Sequence, residues 1–257
     1  MDEFARRLEE EKLAAVVELA YGASHEINNP LANIATRAQV LLRDELHPER
    51  RRMLTAIHAQ AMRAHEMIAD LMLFARPPRL APEDVDLIGL VRDVADQWHA
   101  AAVDQSTELT VSAGEGCLMC RADATQLAVA VGALIRNALE ALGSGGRVEI
   151  AVGRNTTSRN GDGQPPSLPL EIIVSDNGPG MSAELRRRAF DPFFSGREAG
   201  RGLGFGLSKC WRIIREHGGE VLLESEPGRG TRAAVRLRDA APIESEAVSK
   251  PGLAPCG

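Results

Sequence analysis

The sequence lacks several features that would assign it to common functional classes. It has 30 lysines and arginines against 36 aspartates and glutamates, so there is no basic excess of the kind that a nucleic-acid surface needs. No apolar run approaches the ~18–20 residues that span a bilayer. The N-terminus reads Met-Asp-Glu-Phe-Ala-Arg-Arg and has no apolar signal-peptide core. We therefore expect a cytoplasmic protein with no nucleic-acid partner and no membrane segment in this chain.

Cysteine and aromatic residues are also scarce. Among the four cysteines, Cys117 and Cys120 form one CxxC pair without the second pair that a zinc site needs, so we interpret both as packed strand residues. Aromatic residues make up only 4% of the chain, so the cores must consist of leucine, isoleucine, valine and alanine. A chain of 257 residues is long enough for one large domain or two modest ones.

The first 76 residues show a strong helical pattern. Residues 3–46 favour one long helix, with Pro30 as the single breaker, which predicts a bend. After a turn at His47-Pro48, a second helix is predicted from about Glu49 to Ala75. Both carry apolar residues at alternating spacings of four and three, including Ile27, Leu31, Ile34, Ala38 and Leu41 in the first helix. Two such stripes predict an antiparallel helical hairpin, which a dimeric four-helix bundle would bury.

A proline-rich stretch divides the chain. Arg76 to Pro82 contains three prolines and marks a linker at residues 77–82. Beyond it, the sequence predicts three helices and four strands, followed by a closing hairpin. The helices are expected at Leu87–Ala102, Asp123–Leu142 and Leu203–His217. The strands are expected at Glu108–Val111, Cys117–Arg121, Arg147–Val152 and Leu170–Val174, and the hairpin at Glu220–Ser225 with Thr231–Leu237. These patterns show no regular βαβ repeat, which favours an α/β sandwich with helices over one sheet. We therefore expect a hairpin domain at 1–76, a second domain at 83–238 and a disordered tail at 239–257.

Two polar stretches of the second domain suggest ligand chemistry. Asn137 and Glu140 lie three residues apart on an otherwise apolar helix, where a carboxamide oxygen could ligate phosphate-bound Mg²⁺. A helix edge that meets solvent explains them equally well. Asp176-Asn177-Gly178-Pro179-Gly180 follows an apolar strand. A carboxylate there could accept a hydrogen bond from an exocyclic amine such as that of adenine, and the glycines would admit a flat ligand. A simple turn is the alternative.

Two further stretches complete the set. Three phenylalanines fall within residues 190–194, which indicates core packing or a lid anchored by aromatic rings. Residues 200–207 carry four glycines at alternate positions before a helix, which is typical of an anion site at a helix N-terminus. This run lacks the Gly-Lys-Ser/Thr of a P-loop, and no strand leads into it as in a dinucleotide fingerprint.

The order of these four stretches resembles the N, G1, F and G2 boxes of the ATP-binding domain of sensor histidine kinases. That domain shares its fold superfamily with the gyrase, Hsp90 and MutL ATPases. The run from Ser24 to Leu31 then resembles the H-box of the dimerisation and phosphotransfer domain. On its own, His25 beside an apolar seam would be read as a solvated side chain. The resemblance covers about residues 5–238 and implies a dimeric four-helix bundle followed by an α/β sandwich of the histidine kinase/Hsp90/gyrase type.

The resemblance implies a role for each matching residue. His25 would accept the phosphoryl group, Glu26 would take its proton, and Asn29 would orient a water molecule when the protein dephosphorylates a partner. The implied MgATP-binding residues are Asn137 for Mg²⁺, Asp176 for adenine, Gly178 and Gly180 along the base, Gly202, Gly204 and Gly206 around the triphosphate, Arg197 near the γ-phosphate, and Thr231 in support of Asp176.

The resemblance also implies an activity and partners. We expect ATP-dependent autophosphorylation on His25, followed by transfer to an aspartate of a response regulator and possible dephosphorylation of that aspartate. The implied partners are a second copy of the chain, a response-regulator receiver domain, and an upstream sensor domain or sensor protein. Ala133 stands where hydrolytic relatives carry a water-activating glutamate, which disfavours direct hydrolysis. Two alternatives remain open at this point, a GHKL-type ATPase and a non-catalytic dimeric signalling scaffold.

Overall fold

The first part of the protein is a helical hairpin. The computed structural model describes residues 26–75, 78–114, 116–155, 167–191, 194 and 204–239. Helix α1 covers residues 26–44 of this part of the chain, and residues on both sides of Pro30 are helical. Helix α2 spans Pro48–Ala75 and begins on the proline, whose missing N–H costs nothing at a first helical position. In the turn, the Glu45 carboxylate accepts the His47 N–H at 2.8 Å.

Small residues form the contact between the two helices. Ala35, Ala38 and Ala61 are buried, whereas Ile34 and Leu41 of the predicted seam are 46% and 60% exposed. His65 of α2 adds a polar contact, with its Nδ1 3.0 Å from the Asn28 Oδ1 of α1. A single chain therefore buries only part of the apolar stripe that the sequence predicts.

The second part is an α/β domain built on a five-stranded sheet. Its elements are β1 (Glu83–Asp86), α3 (Leu87–Asp104), β2 (Glu108–Ala113), β3 (Met119–Ala122), α4 (Ala124–Leu142), β4 (Arg147–Arg154), β5 (Leu170–Asp176), α5 (Ala183–Arg188), α6 (Gly206–Glu216), β6 (Glu220–Ser225) and β7 (Thr231–Leu237). The main sheet has the order β2-β4-β5-β7-β6, with β2 and β4 parallel and the other neighbours antiparallel. Strands β1 and β3 form a separate antiparallel pair.

Helices α3, α4 and α6 cover one face of the sheet. In β4 the alternate residues Val148, Ile150 and Val152 are buried, and they join one apolar core with Leu127, Ile135 and Ile214 of the helices. This is the α/β sandwich that the sequence predicts. None of the helices in the described ranges is long and apolar enough to cross a membrane.

Two details of the sequence prediction are wrong. Cys117 is not a packed strand residue, because it is exposed and precedes β3, whereas Cys120 is buried within β3. Burial raises the pKa of the Cys120 thiol to about 11, so it stays protonated and unreactive at neutral pH. Helix α6 begins at Gly206 rather than at Leu203, because Gly204 has a φ of +73° that no helix continues through.

Candidate functional site

A cavity of about 1000 Å³ lies between α2 and the α/β domain. Its lining comes from α4, from the ends of β5 and β7, from the start of α6 and from one side of α2. The sequence-predicted site residues that line it are Asn137, Asp176, Gly180, Gly204, Gly206 and Thr231. The fold therefore brings together residues that are far apart in the chain.

Asp176 closes strand β5 and lies directly opposite Thr231 in the β5–β7 register. The N–H of Gly178 donates to the Asp176 Oδ1 at 2.9 Å, which fixes one carboxylate oxygen. Gly230 packs against the backbone of the same residue, because a Cβ at Gly230 would come within 1.9 Å of the Asp176 carbonyl oxygen. Asp176 is half-buried, with its carboxylate held by Gly178 and its backbone packed against Gly230.

Ser225 is a supporting residue that the sequence analysis missed. Its hydroxyl donates to the Gly230 carbonyl at 2.8 Å, accepts the Met181 N–H at 2.8 Å and lies 3.0 Å from the Thr231 hydroxyl. These bonds join the end of β6 to the loop after Asp176. A serine at a strand end gives no distinctive signal in a sequence, so only the three-dimensional packing reveals it.

The loop after Asp176 is fixed at several points. The Asn177 Oδ1 accepts the Arg147 N–H at 2.7 Å, and the Pro179 carbonyl accepts the Gly228 N–H at 2.7 Å. Gly180 has a φ of +66°, and a Cβ there would meet the Glu226 carbonyl oxygen at 2.0 Å. Only glycine fits this position, and the backbone beside the cavity is rigid.

The start of α6 also lines the cavity. Its N-cap residue, Phe205, makes no side-chain cap hydrogen bond, and the N–H groups of a helix's first turn have no acceptor within the helix itself. Gly204 lies so close to Phe194 that a Cβ would meet the Phe194 carbonyl oxygen at 2.1 Å. At Gly206 a Cβ would come within 2.8 Å of the Asn137 Oδ1, so the carboxamide of α4 packs against the first residue of α6. The N-terminal turn of a helix beside a carboxamide suits the oxygens of a phosphate chain.

Helix α2 supplies the remaining wall and a set of charges that the sequence analysis missed. Arg63, Glu66 and Asp70 line the cavity. The Asp70 carboxylate accepts a hydrogen bond from Lys209 Nζ of α6, and its other oxygen lies 3.4 Å from Arg136 Nη2 of α4. Helix periodicity gives no sign of a contact between elements so remote in sequence.

Some predicted residues lie outside the cavity. Gly178 is adjacent to it through its bond to Asp176, and Glu26 and Asn29 are exposed on α1. His25, Arg197 and Gly202 fall outside the described residues. Residues 192–193 and 195–202 of the predicted lid do too. Phe190 packs against the core, and the Arg188 guanidinium lies 4.2 Å from the centre of the Phe194 ring.

Two family models match the chain. Residues 15–79 match the His Kinase A (phospho-acceptor) domain. Residues 122–241 match the histidine kinase-, DNA gyrase B- and HSP90-like ATPase. The first match covers the hairpin, and the second begins at the end of β3 and covers the elements that form the cavity.

Individual proteins with both parts are similar to the chain along most of its length. Sporulation kinase C of Bacillus subtilis (strain 168) is 30% identical over 240 residues, which is 93% of this chain and 51% of that protein. Sensor histidine kinase ZraS of Klebsiella oxytoca is 31% identical over 221 residues, or 86% of this chain and 45% of that protein. The chain thus spans about half the length of these relatives.

Solved structures share the fold. Full-length ShkA in complex with AMPPNP superposes with a TM-score of 0.69 at 25% identity, covering 88% of this chain and 47% of that one. Histidine kinase ThkA in complex with the response regulator TrrA has a TM-score of 0.63 at 22% identity, covering 91% of this chain and 65% of that one.

Proposed function

The chain belongs to the histidine kinases, with a phosphoacceptor hairpin followed by an ATPase-type domain, and we propose that it transfers the γ-phosphoryl group of ATP to His25. The observation that carries this proposal is the single cavity that unites Asp176, Asn137 and the start of α6. It offers a carboxylate at one end and helix N–H groups at the other, as a nucleotide requires. ShkA, at 25% identity, was solved with the ATP analogue AMPPNP.

In this proposal the adenine ring lies at Asp176 and the phosphates at Gly204, Gly206 and Asn137. The fixed Asp176 carboxylate accepts a hydrogen bond from the exocyclic amine of adenine. Thr231 and Gly180 shape the base-binding end, with Gly178 holding Asp176 in place. We assign Gly202 and Arg197 to the triphosphate on the resemblance to the family alone.

Mg²⁺ fits this site as part of the MgATP substrate. The Asn137 Oδ1 lies beside the start of α6, where it would be one ligand of the ion, and phosphate oxygens would supply others. The ion would neutralise charge on the phosphates.

The chemical step moves one phosphoryl group. A neutral imidazole nitrogen of His25 attacks the γ-phosphorus, the bond from that phosphorus to the bridging oxygen breaks, and ADP leaves with that oxygen. The proton on the other imidazole nitrogen passes to the Glu26 carboxylate, which adjoins His25 in the sequence. Ala133 is buried and presents only a methyl group, so no side chain at that position activates water for direct hydrolysis.

The phosphoryl group then passes to an aspartate of a response regulator. We propose that a second copy of the chain covers the exposed apolar face of the hairpin and that a sensor domain or sensor protein controls the kinase. We also propose a cytoplasmic location, since Cys117, Cys120 and Cys210 are free thiols. Residues 1–76, 77–82 and 83–238 are our proposed hairpin, linker and ATP-binding domain, followed by a tail at 239–257.

Base recognition provides a direct test of the nucleotide site. Inosine triphosphate has a carbonyl where ATP has the exocyclic amine, and a carbonyl cannot donate to the Asp176 carboxylate. The protein should therefore bind ATP about tenfold or more tightly than inosine triphosphate. In Asp176→Asn the amide can donate to that carbonyl, and we expect the preference for ATP to disappear. Equilibrium binding of both nucleotides to both proteins measures this. An unchanged preference in Asp176→Asn would remove Asp176 from base recognition.

A further inference from the structure

Asp70 connects the phosphoacceptor hairpin to the ATP-binding domain by charge. It lies on α2, and its two carboxylate oxygens contact Lys209 of α6 and Arg136 of α4. Lys209 is only 7% exposed. Because lysine is almost never buried without a partner, its contact with Asp70 accounts for this burial. Removing the carboxylate would leave this buried ammonium group with a large desolvation penalty.

The two cations belong to the helices that form the phosphate end of the cavity. Arg136 precedes Asn137 on α4, and Lys209 lies three residues after Gly206, about one turn into α6. A carboxylate that holds both cations therefore fixes α2 against this end of the site. Arg63 and Glu66 of the same α2 segment line the cavity with Asp70.

The same segment of α2 contacts the phosphoacceptor helix. The His65 Nδ1 lies 3.0 Å from the Asn28 Oδ1, and Asn28 is three residues beyond His25. Asp70 is five residues further along α2, or about one and a half turns. The ion pairs and the contact between the two hairpin helices thus lie on the same segment of α2.

We propose that Asp70 is a positioning residue for phosphoryl transfer, which acts through Lys209 and Arg136 by docking the ATP-binding domain onto α2. This inference rests on the proposed function, because it requires transfer to His25. The contact explains why a lysine is buried on α6 beside the active cavity.

The test is the rate of autophosphorylation of the full chain at saturating MgATP. We expect Asp70→Asn to slow labelling by about ten- to a hundredfold, since misplacement by about 1 Å can cost that much. Binding of ATP, followed separately with a fluorescent analogue, should change by less than about threefold, because Asp176 and the start of α6 are intact. Asp44→Asn, an identical substitution at an exposed site on α1, serves as the control and should label normally.

A conservative variant separates positioning from a general loss of structure. Asp70→Glu keeps a carboxylate on α2 facing Lys209 and Arg136, whereas Asp70→Asn keeps the shape and removes the charge. We expect Asp70→Glu to retain most of the labelling rate that Asp70→Asn loses. Thermal unfolding of each variant shows which of them fold.

The outcomes are distinct. Failure of the wild-type chain to label on His25 would refute the proposed function itself. Normal or faster labelling of a folded Asp70→Asn variant would overturn only the docking role, a faster rate because the contact would then hold the domain in an inactive position. Equal slowing in folded Asp70→Glu and Asp70→Asn variants would also count against it.

Discussion

Gly230 and Gly228 lie two residues apart in the turn between β6 and β7, and they share one backbone conformation in different surroundings. Both have a φ of +77°, where an L-residue costs about 1–2 kcal/mol. A Cβ at Gly228 would meet nothing within 4 Å, whereas a Cβ at Gly230 would meet the Asp176 carbonyl oxygen at 1.9 Å. The pair therefore separates backbone strain from a steric contact at the nucleotide site.

We predict that Gly230→Ala loses about 2 kcal/mol or more of unfolding free energy beyond the loss in Gly228→Ala, because the backbone at Asp176 must move. ATP affinity should fall about tenfold or more in Gly230→Ala, since a displaced carboxylate loses its bond to the base. Denaturant unfolding and equilibrium nucleotide binding measure the two effects. Equal losses in both variants would contradict the packing argument.

Asn29 is exposed on α1, four residues after His25, and we assign it to dephosphorylation of the partner. Asn29→Ala should slow removal of phosphate from a phosphorylated response regulator by about tenfold or more, as expected when a residue that orients an attacking water is lost. Autophosphorylation should stay within about threefold of wild type, since transfer to His25 involves no water. Asn33→Ala, one turn further along the exposed helix, is the matched control. Equal slowing of both activities in Asn29→Ala would remove this role.

Asp123 joins three segments of the chain, which are the linker, the start of α4 and the end of α6. Its carboxylate caps α4 through the Gln126 N–H at 3.0 Å and accepts the Ala81 N–H of the linker at 3.0 Å. Its own N–H donates to the His217 Nε2 at the end of α6, also at 3.0 Å. The bond from Ala81, followed by those from Gln126, lowers the pKa of the Asp123 carboxyl below its usual value.

A lowered pKa in the folded state gives a defined dependence on pH. The carboxylate stabilises the fold fully above its unfolded pKa of ~3.9, and this stability is lost as pH falls through the lower folded value. We predict that Asp123→Ala costs about 1–2 kcal/mol at pH 7 and that Asp123→Asn, which retains a capping oxygen, costs less. The difference in unfolding free energy between wild type and either variant should become smaller below about pH 4. Urea unfolding at pH 7 and pH 3 measures this difference. A difference of equal size at both pH values would contradict a stabilising role for the ionised Asp123 carboxylate.

The elements that the sequence predicted well have strong local signals. The β6–β7 hairpin follows from two apolar runs around Pro227-Gly228-Arg229-Gly230, and α4 follows from a long apolar periodicity. Strand β1 was missed because Glu-Asp-Val-Asp contains a single apolar residue and exists by pairing with β3. Helix α5 was missed because its six residues bury no side chain.

The candidate site combines residues that have a local sequence signal with residues that only the tertiary structure reveals. Motif order indicates Asp176, Asn137 and the glycines, and the structure brings Asp176, Asn137, Gly180, Gly204 and Gly206 to one cavity. Their roles in binding a ligand stay predictions. Ser225, Asp70 and Lys209 could not be predicted, since their roles arise from contacts between distant elements. The arrangement of α2 against the ATP-binding domain is a property of the tertiary structure.

Dimer formation is likewise a property of the whole molecule. Ile34, Leu41 and Ile57 are each at least 45% exposed on the hairpin, although their spacing is that of a packed seam. A four-helix bundle with a second copy would bury them. This is why we propose the dimer as the form in which the hairpin presents His25 to the ATP-binding domain.

The central claim is that His25 accepts the γ-phosphoryl group of ATP, and one measurement tests it most directly. The full chain and His25→Ala are incubated with [γ-³²P]ATP and Mg²⁺, and labelled protein and released phosphate are counted alongside ATP binding. We predict that the wild-type chain is labelled through an acid-labile, alkali-stable bond, and that His25→Ala binds ATP normally without acquiring label. Equal labelling of both proteins, or steady release of phosphate with no labelled protein, would contradict the account.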